Sequence, residues 1–231
     1  MPAPTGTRIG LRAAIGRLLT FYGRPPRPPA VDPFELVIWE NCAYLVDDVR
    51  RATVFKRLKR AVGLKPAAIL ATPLPALADI IKEGGMHPAR RAEKLHTAAD
   101  IALDIGTVEL RRAIKRSPEE AKKLLRRFPG IGEPGADKIL LFCRGALTLA
   151  PDSNALRVLV RLGYGAQSDN YQRTYRSAAH TVASELPAAF AWSIQAHQVL
   201  RRHGQELCKR SVPRCEACPL RAECRWYLTQ A

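Results

Sequence analysis

Apolar residues recur every three or four positions along most of the chain, which is the spacing of one face of an α-helix. Neither sustained alternation of apolar and polar residues nor an Asn-Gly hairpin turn occurs, so no strand is predicted. The pattern therefore predicts an all-α protein. Its longer predicted helices cover Ile9 to Tyr22, a segment beginning at Asp32, Thr53 to Ala61, Leu74 to Lys82, Ala89 to Leu103, Tyr175 to Leu186 and Phe190 to His203.

A tight glycine turn separates two further predicted helices. Ser117 and Pro118 begin the first one, as the N-cap and the first helical residue. Pro129-Gly130-Ile131-Gly132 interrupts the helical pattern, and a second apolar stripe follows from Ala136 to Cys143. The segment predicts a helix-hairpin-helix whose glycines allow a close approach of the backbone and whose second helix turns its N–H groups toward a phosphate. The Gly-x-Gly pattern alone fits a plain helical hairpin better.

The composition indicates a soluble protein that binds nucleic acid. The chain has 231 residues, enough for one large or two small domains, and 47% of them are hydrophobic. Its net charge of +16 indicates a polyanionic partner, and nucleic acid fits better than an anionic membrane. The sequence contains no apolar run long enough to span a bilayer and no signal-peptide pattern. We therefore expect a cytoplasmic protein, associated with the nucleoid in a prokaryote, and a monomer.

Four of the six cysteines form one cluster near the C-terminus. They have the spacing C-x6-C-x2-C-x5-C, and four thiolates this close in sequence can bind a tetrahedral metal ion or an iron–sulfur cluster. Spacing alone does not separate zinc from iron–sulfur, and disulfides are the less favoured alternative because the rest of the chain reads as intracellular. The predicted ligands are Cys208, Cys215, Cys218 and Cys224.

The hairpin and the residues after it resemble the helix-hairpin-helix DNA glycosylases of the endonuclease III superfamily. The resemblance rests on Phe128-Pro129-Gly130-Ile131-Gly132, on Ala136, on Asp152 and on Arg157 before Leu162-Gly163, and it covers about Phe21 to Cys224. The cysteine spacing is independently similar to that of the four-iron cluster of the same superfamily. The resemblance implies a two-domain helical fold with a C-terminal cluster loop, a [4Fe-4S] cofactor and double-stranded DNA as the partner.

Domain limits follow from this resemblance and from the helical pattern. We expect residues 32–146 to form a helical domain that carries the hairpin. Residues 1–31 and 147–231 would form a second, discontinuous domain that carries the cluster, with DNA bound in the cleft between the two domains. The resemblance also implies contacts to DNA from the hairpin residues Gly130, Ile131 and Gly132 and from the basic cluster loop, through Lys209, Arg210 and Arg214.

Two carboxylates are the candidate catalytic groups. Glu40 lies in an otherwise apolar helix beside Trp39 and Cys42, where desolvation would raise its pKa and suit it to general acid catalysis. A plain surface carboxylate is the alternative. Asp152 begins a helix, and a carboxylate there can cap that helix or stabilise the positive charge that builds on deoxyribose as its bond to the base breaks. Glu40, Asp152 and Asn154 together resemble the mismatch adenine glycosylases.

The residues after Glu40 depart from both the adenine glycosylase and the endonuclease III patterns. Those enzymes have polar side chains there, often glutamine, that fill the gap left by an extruded base. This chain has Tyr44 and Leu45, which either wedge into the base stack or pack in the core. The departure leaves the excised base open between a damaged purine and a mismatched base.

The lysine that forms a Schiff base in bifunctional superfamily members has no counterpart at the matching position, which is Pro134. Lys138 lies one turn further along the same helix. The sequence therefore predicts a monofunctional glycosylase of base excision repair that hydrolyses the bond with water, using Glu40 as the acid and Asp152 to stabilise the sugar cation. The alternatives are a bifunctional glycosylase and lyase that uses Lys138, and a non-catalytic lesion-binding protein.

Overall fold

The computed structural model describes residues 8–230 and confirms the all-α prediction. No β-strand occurs among these residues, and none of their helices is long and apolar enough to cross a membrane. The α-helices are α1 (Leu11–Tyr22), α2 (Pro33–Asn41), α3 (Asp48–Ala61), α4 (Pro66–Ala71), α5 (Leu74–Ile81), α6 (Pro88–Ile105), α7 (Thr107–Arg116), α8 (Pro118–Leu125), α9 (Glu133–Phe142), α10 (Ser153–Leu162), α11 (Tyr171–Ala183), α12 (Phe190–Glu206) and α13 (Arg225–Leu228).

The chain divides into two compact units. Residues 28–146 form one unit, which contains α2 to α9, and residues up to 27 join those from 147 onward in the other. We call them the hairpin unit and the cysteine unit, after the motif that each contains. Residues 1–7 of the predicted discontinuous domain lie outside the described residues.

In the cysteine unit, α1 and α10 both pack against α12, although they are far apart in sequence. The buried face of α1 contributes Leu11, Ile15 and Leu18, and α10 contributes Leu159 and Leu162 to the same core. Burying these apolar side chains is the main favourable term in folding the unit, at roughly 1.5–3 kcal/mol for each fully buried Leu or Ile. This core positions the N-terminus of α10, which begins directly after Asp152.

Capping residues set the start of several helices as predicted. The carboxylate of Asp32 accepts hydrogen bonds from the backbone N–H groups of Phe34 and Glu35, and Pro33 occupies the first position of α2. Ser117 caps α8 in the same way through the N–H of Glu120. Because these side chains satisfy N–H groups that have no partner inside the helix, they fix where the helix begins.

Other helix limits were wrong by several residues. The predicted helix at Thr53 begins at Asp48, because Asp47 caps it by accepting from the N–H of Arg50. The helix predicted from Tyr175 to Leu186 runs instead from Tyr171 to Ala183, because Asn170 caps it through the N–H of Arg173. In both cases the first helical turn is polar, so the apolar pattern did not reveal it.

The apolar pattern did not predict three short helices, α4, α7 and α13. Helix α4 has only 6 residues and all of them are apolar, so no helical period is visible in it. Only Gly106 separates α7 from α6, and its φ of 81° ends one helix and allows the next to begin at once. The apolar pattern across α6 and α7 therefore resembles that of one continuous helix.

A buried arginine holds the loops of the hairpin unit together. The Arg91 side chain is 3% exposed and donates hydrogen bonds to the carbonyl groups of Cys42, Ile81, Lys82, Gly85 and Met86 at 2.6 to 3.3 Å. A guanidinium group carries five N–H donors, so one side chain can satisfy this set of buried acceptors. Arg91 thereby fixes the segment that follows α2 against the segment that precedes α6.

Candidate functional site

The hairpin between α8 and α9 is anchored by an asparagine that sequence analysis missed. The Asn41 side chain is buried at the end of α2, and its Nδ2 donates to the carbonyl groups of Val37 at 3.0 Å and Pro129 at 2.9 Å. Gly130 has a φ of 74°, and a Cβ added there would lie 3.0 Å from Oδ1 of Asn41. The turn therefore requires glycine for its backbone conformation, and α2 holds it in place.

The three predicted hairpin contacts are not equivalent. Ile131 is 4% exposed, and its N–H donates to the carbonyl of Phe128 within the turn. Gly130 and Gly132 are exposed. Ile131 thus anchors the turn in the core, and the two glycines present its backbone to a ligand.

Glu40 forms an ion pair with Lys138. The Nζ atom of Lys138 in α9 lies 2.6 Å from Oε1 of Glu40 in α2, and the two side chains are only 14% and 19% exposed. The surroundings of Glu40 are therefore not entirely apolar, contrary to the prediction. A cation within hydrogen-bonding distance stabilises the carboxylate form of Glu40. Lys138 is not the ordinary surface lysine that the sequence favoured, since α9 directs it at the candidate acid.

Asp152 is held through both carboxylate oxygens. Its Oδ1 accepts from the backbone N–H groups of Asn154 at 3.0 Å and Ala155 at 2.9 Å, which caps α10. Its Oδ2 accepts from Nη1 of Arg201 in α12. The capping alternative is thus confirmed, and it does not exclude a chemical role. The partial positive charge at the helix N-terminus and the nearby guanidinium both favour the ionised form.

Asn154 and Arg157 connect the start of α10 to the cysteine loop. Nη2 of Arg157 donates to Oδ1 of Asn154 at 3.0 Å and to the carbonyl of Gly204 at 2.7 Å. Its Nε donates to the carbonyl of Cys208, also at 2.7 Å. The predicted catalytic residue Asn154 therefore has its side-chain oxygen committed to this connection.

Tyr44 and Leu45 are 53% and 73% exposed, so the alternative that they pack in the core is wrong. The N–H of Tyr44 donates to the carbonyl of Gly84 at 2.7 Å, and Cβ atoms at Gly84 and Gly85 would collide with the backbone at Cys42 and Tyr44 respectively. Leu45 has the left-handed φ of 56°, a conformation that costs energy for a non-glycine residue. The loop therefore presents two large apolar side chains on a constrained backbone.

All four predicted metal ligands line one pocket of the cysteine unit. The pocket also contains Arg161 of α10, whose Nη1 lies 3.2 Å from Sγ of Cys208. The N–H of Leu220 donates to Sγ of Cys218 at 3.4 Å. All six cysteines of the chain have free thiols, so the disulfide alternative is wrong. Within residues 8–230, no three His, Cys, Asp or Glu side chains form a group that could hold a metal ion.

Burial changes the acidity of the groups in this pocket. It raises the pKa of the Cys218 thiol to about 11 and lowers the pKa of His203 to about 4. Nε2 of His203 lies 3.5 Å from Sγ of Cys218, so this histidine borders the pocket rather than packing in the core alone. Protein groups alone therefore do not ionise the Cys218 thiol at neutral pH, and a bound metal would have to displace its proton.

The two remaining cysteines were expected to be buried and inert. Cys42 is fully buried, and burial raises the pKa of its thiol to about 12. Cys143 is only partly buried, yet burial also raises its thiol pKa to about 12, and its Sγ donates to the carbonyl of Val31. Both thiols therefore stay protonated at neutral pH.

The basic residues of the cysteine loop are exposed. Lys209, Arg210 and Arg214 lie between the first two cysteines of the cluster and point no side chain into the core. Nη1 of Arg161 donates to the carbonyl of Lys209 at 2.8 Å, and its Nη2 donates to that of Arg210 at 3.2 Å. The loop backbone is thus fixed by α10, and its three cationic side chains extend toward solvent.

Comparison with known proteins finds similarity to endonuclease III in both sequence and fold. The endonuclease III of Sulfolobus acidocaldarius is 26% identical over 177 residues, which are 75% of this chain and 73% of that protein. The endonuclease III of Thermotoga maritima is 26% identical over 203 residues, which are 88% and 87% of the two chains. A structure of a trapped endonuclease III–DNA covalent intermediate superimposes with a TM-score of 0.72 over 95% of this chain and 96% of that one, at 24% identity.

The chain is therefore similar in sequence to endonuclease III proteins and has the fold of the endonuclease III–DNA structure. No protein-family model matches it.

Pro134, the position that the resemblance matches to the Schiff-base lysine, stands in the first turn of α9 and has no amine. Lys138, one turn later, lies beside Glu40. The sequence pattern did not reveal this lysine–glutamate pair, because the two residues lie 98 positions apart.

Proposed function

We propose that the protein is a monofunctional DNA glycosylase of base excision repair, closest to the mismatch adenine glycosylases, and that it hydrolyses the N-glycosidic bond of a damaged or mismatched base. The observation that carries the proposal is Asp152, a carboxylate fixed at the N-terminus of α10 by two backbone N–H groups. The superfamily fold and the net charge of +16 supply the expected partner, double-stranded DNA that contains the lesion. The target base would have to leave the duplex for any pocket group to reach it.

Asp152 would act on the sugar. When the bond between C1′ and the base nitrogen breaks, its electron pair leaves with the base and positive charge develops on the deoxyribose. A carboxylate that is already fixed and ionised stabilises that charge without a reorganisation cost at the moment of reaction. A water molecule then adds to C1′ and loses a proton, which completes hydrolysis.

The Glu40–Lys138 pair would act on the leaving base. A base departs more easily once one of its nitrogen atoms is protonated. Nζ of Lys138 lies 2.6 Å from Oε1 of Glu40, so Lys138 is placed to give a proton to Glu40 as Glu40 passes one to the base. Glu40 is thus proposed as the acid, with Lys138 as the source of its proton.

The exposed residues would hold the DNA. The backbone at Gly130 and Gly132 can contact phosphates, as can the cationic side chains Lys209, Arg210 and Arg214. The exposed side chains of Tyr44 and Leu45 would fill the gap that the extruded base leaves in the base stack. Apolar side chains insert between base pairs in this way in proteins that bend DNA.

The cysteine pocket would hold a [4Fe-4S] cluster. Four cysteine thiols line one pocket, and four thiolates can bind an iron–sulfur cluster. The resemblance of their spacing to that of the superfamily's four-iron cluster favours this cofactor over a single zinc ion. The cluster would stabilise the loop of Lys209, Arg210 and Arg214.

Replacing Asp152 with Asn tests the proposed chemistry. Asn caps a helix about as well as Asp, so α10 should keep its start and the protein its stability, while the charge on the carboxylate is lost. We expect base release in single-turnover assays to fall by roughly 10²–10³-fold and DNA binding to persist.

Asp47→Asn is the matched control, because Asp47 also caps a helix, α3. It should release base at the wild-type rate. Wild-type base release by Asp152→Asn would contradict the proposal.

A second function is favoured by one contact. Lys138 is shielded from solvent, and a carboxylate lies 2.6 Å from its Nζ. If Glu40 accepted its proton, the neutral amine could attack C1′ of an abasic sugar, release water and form a Schiff base. Loss of a C2′ proton would then break the bond from C3′ to its oxygen and cut the strand. This bifunctional glycosylase and lyase is the alternative.

Borohydride trapping separates the two functions. For the hydrolytic enzyme we expect no covalent adduct with an abasic duplex, and slower base release from Lys138→Gln because Glu40 loses its proton source. Lys122→Gln is the matched control, because Lys122 pairs with Asp137 in the same unit at 2.7 Å. A trapped adduct that disappears in Lys138→Gln and persists in Lys122→Gln would establish the lyase.

Metal analysis tests the cofactor. Protein purified without oxygen should contain iron and acid-labile sulfide and absorb visible light. Cys218→Ser should lose both elements and unfold at a lower temperature, because binding of the cluster contributes to folding. Cys143→Ser should retain both, since that thiol lies in the other unit. Zinc without sulfide in the wild-type protein would contradict the assignment.

A further inference from the structure

Arg201 lies on the carboxylate that is proposed to act on the sugar. Nη1 of Arg201 in α12 donates to Oδ2 of Asp152, and 18% of each side chain is exposed. Both side chains are therefore mostly shielded from solvent but remain partly accessible from the surface of the cysteine unit. No motif in the sequence pointed to this arginine.

The two oxygens of Asp152 have different environments. Oδ1 accepts from the N–H groups of Asn154 and Ala155 and is committed to capping α10. These two hydrogen bonds hold the carboxylate whether or not Arg201 is present. Oδ2 accepts neither of these capping hydrogen bonds, and Arg201 contacts that oxygen.

The contact opposes the proposed chemistry. A guanidinium group keeps its positive charge at every physiological pH. The cation that develops on the deoxyribose would therefore have to approach an oxygen beside a fixed positive charge, and a carboxylate that is neutralised in this way stabilises a second cation less. Asp152 can act fully only after Arg201 has moved from Oδ2.

DNA itself offers the alternative partner. The phosphates on either side of a nucleotide lie within the length of an arginine side chain from its C1′. Phosphate also matches the planar donor fork of a guanidinium group. We propose that Arg201 holds Asp152 in the free protein and transfers to a phosphate that flanks the target nucleotide, which leaves Oδ2 facing the sugar. The proposal rests on the catalytic role of Asp152 given above.

The neighbouring Arg157 shows what a purely structural arginine looks like here. Its guanidinium donates to the carbonyl groups of Gly204 and Cys208 and to Oδ1 of Asn154. These contacts connect three parts of the unit, so moving Arg157 would disrupt the fold. The contact between Arg201 and Asp152 is not needed to cap α10, because two backbone N–H groups already hold the carboxylate there.

The salt dependence of DNA binding tests the transfer without requiring chemistry. The probe is a duplex that carries a stable tetrahydrofuran analogue of an abasic site. For Arg201→Gln, the slope of log affinity against log salt should be shallower by about 0.9, the value of one phosphate contact. The wild-type protein should then lose about 3.5-fold more affinity than the variant between 50 and 200 mM salt. Arg201→Lys should keep the wild-type slope.

Arg202→Gln is the matched control. Arg202 is the next residue of α12 and pairs with Glu206 at 2.8 Å, away from Asp152. Its slope should equal that of the wild-type protein.

An unchanged slope for Arg201→Gln would overturn the proposal, because it would mean that Arg201 contacts no phosphate. Failure of the proposed function gives a different result. In that case Asp152→Asn would still release base, and the salt slope would still report whether Arg201 contacts a phosphate.

Discussion

The proposed catalysis depends on how the carboxylate of Asp152 is held. Two backbone N–H groups at the start of α10 bind one oxygen, and the core formed by α1, α10 and α12 keeps that helix end in place. A single side chain thus ends the loop, starts the helix and presents a fixed negative charge. Catalysis by electrostatic stabilisation requires such a fixed charge, because a carboxylate that must reorient loses much of its advantage.

The same constraint explains why charged partners surround the candidate groups. A carboxylate that is shielded from solvent is costly unless it is paired, and the protein pairs Asp152 with Arg201 and Glu40 with Lys138. Each pair is stable in the free protein, and each contains a group that could exchange its partner when DNA binds. The hairpin is also held by a shielded polar group. The buried Asn41 side chain binds the turn, and the glycine backbone of the turn stays exposed.

Much of this could be predicted from local sequence. The helix-hairpin-helix, the cap at Asp32 and the all-α fold follow from apolar spacing and capping residues, which act over a few positions. The partners of Glu40 and Asp152 could not be predicted, because Lys138 and Arg201 come from helices distant in sequence and look like ordinary surface cations. Helix α7 was missed because one glycine separates it from α6.

The most direct measurement is base release from a panel of duplexes, each with one test base, including adenine opposite 8-oxoguanine or guanine, hypoxanthine, 3-methyladenine, and thymine or uracil opposite guanine. Each reaction would be divided, and hot alkali added to one half only. The proposed hydrolytic function predicts strand breaks in one of these duplexes, and only after alkali, because hydrolysis leaves an intact abasic strand. Breaks without alkali, or no base release from any duplex, would contradict it.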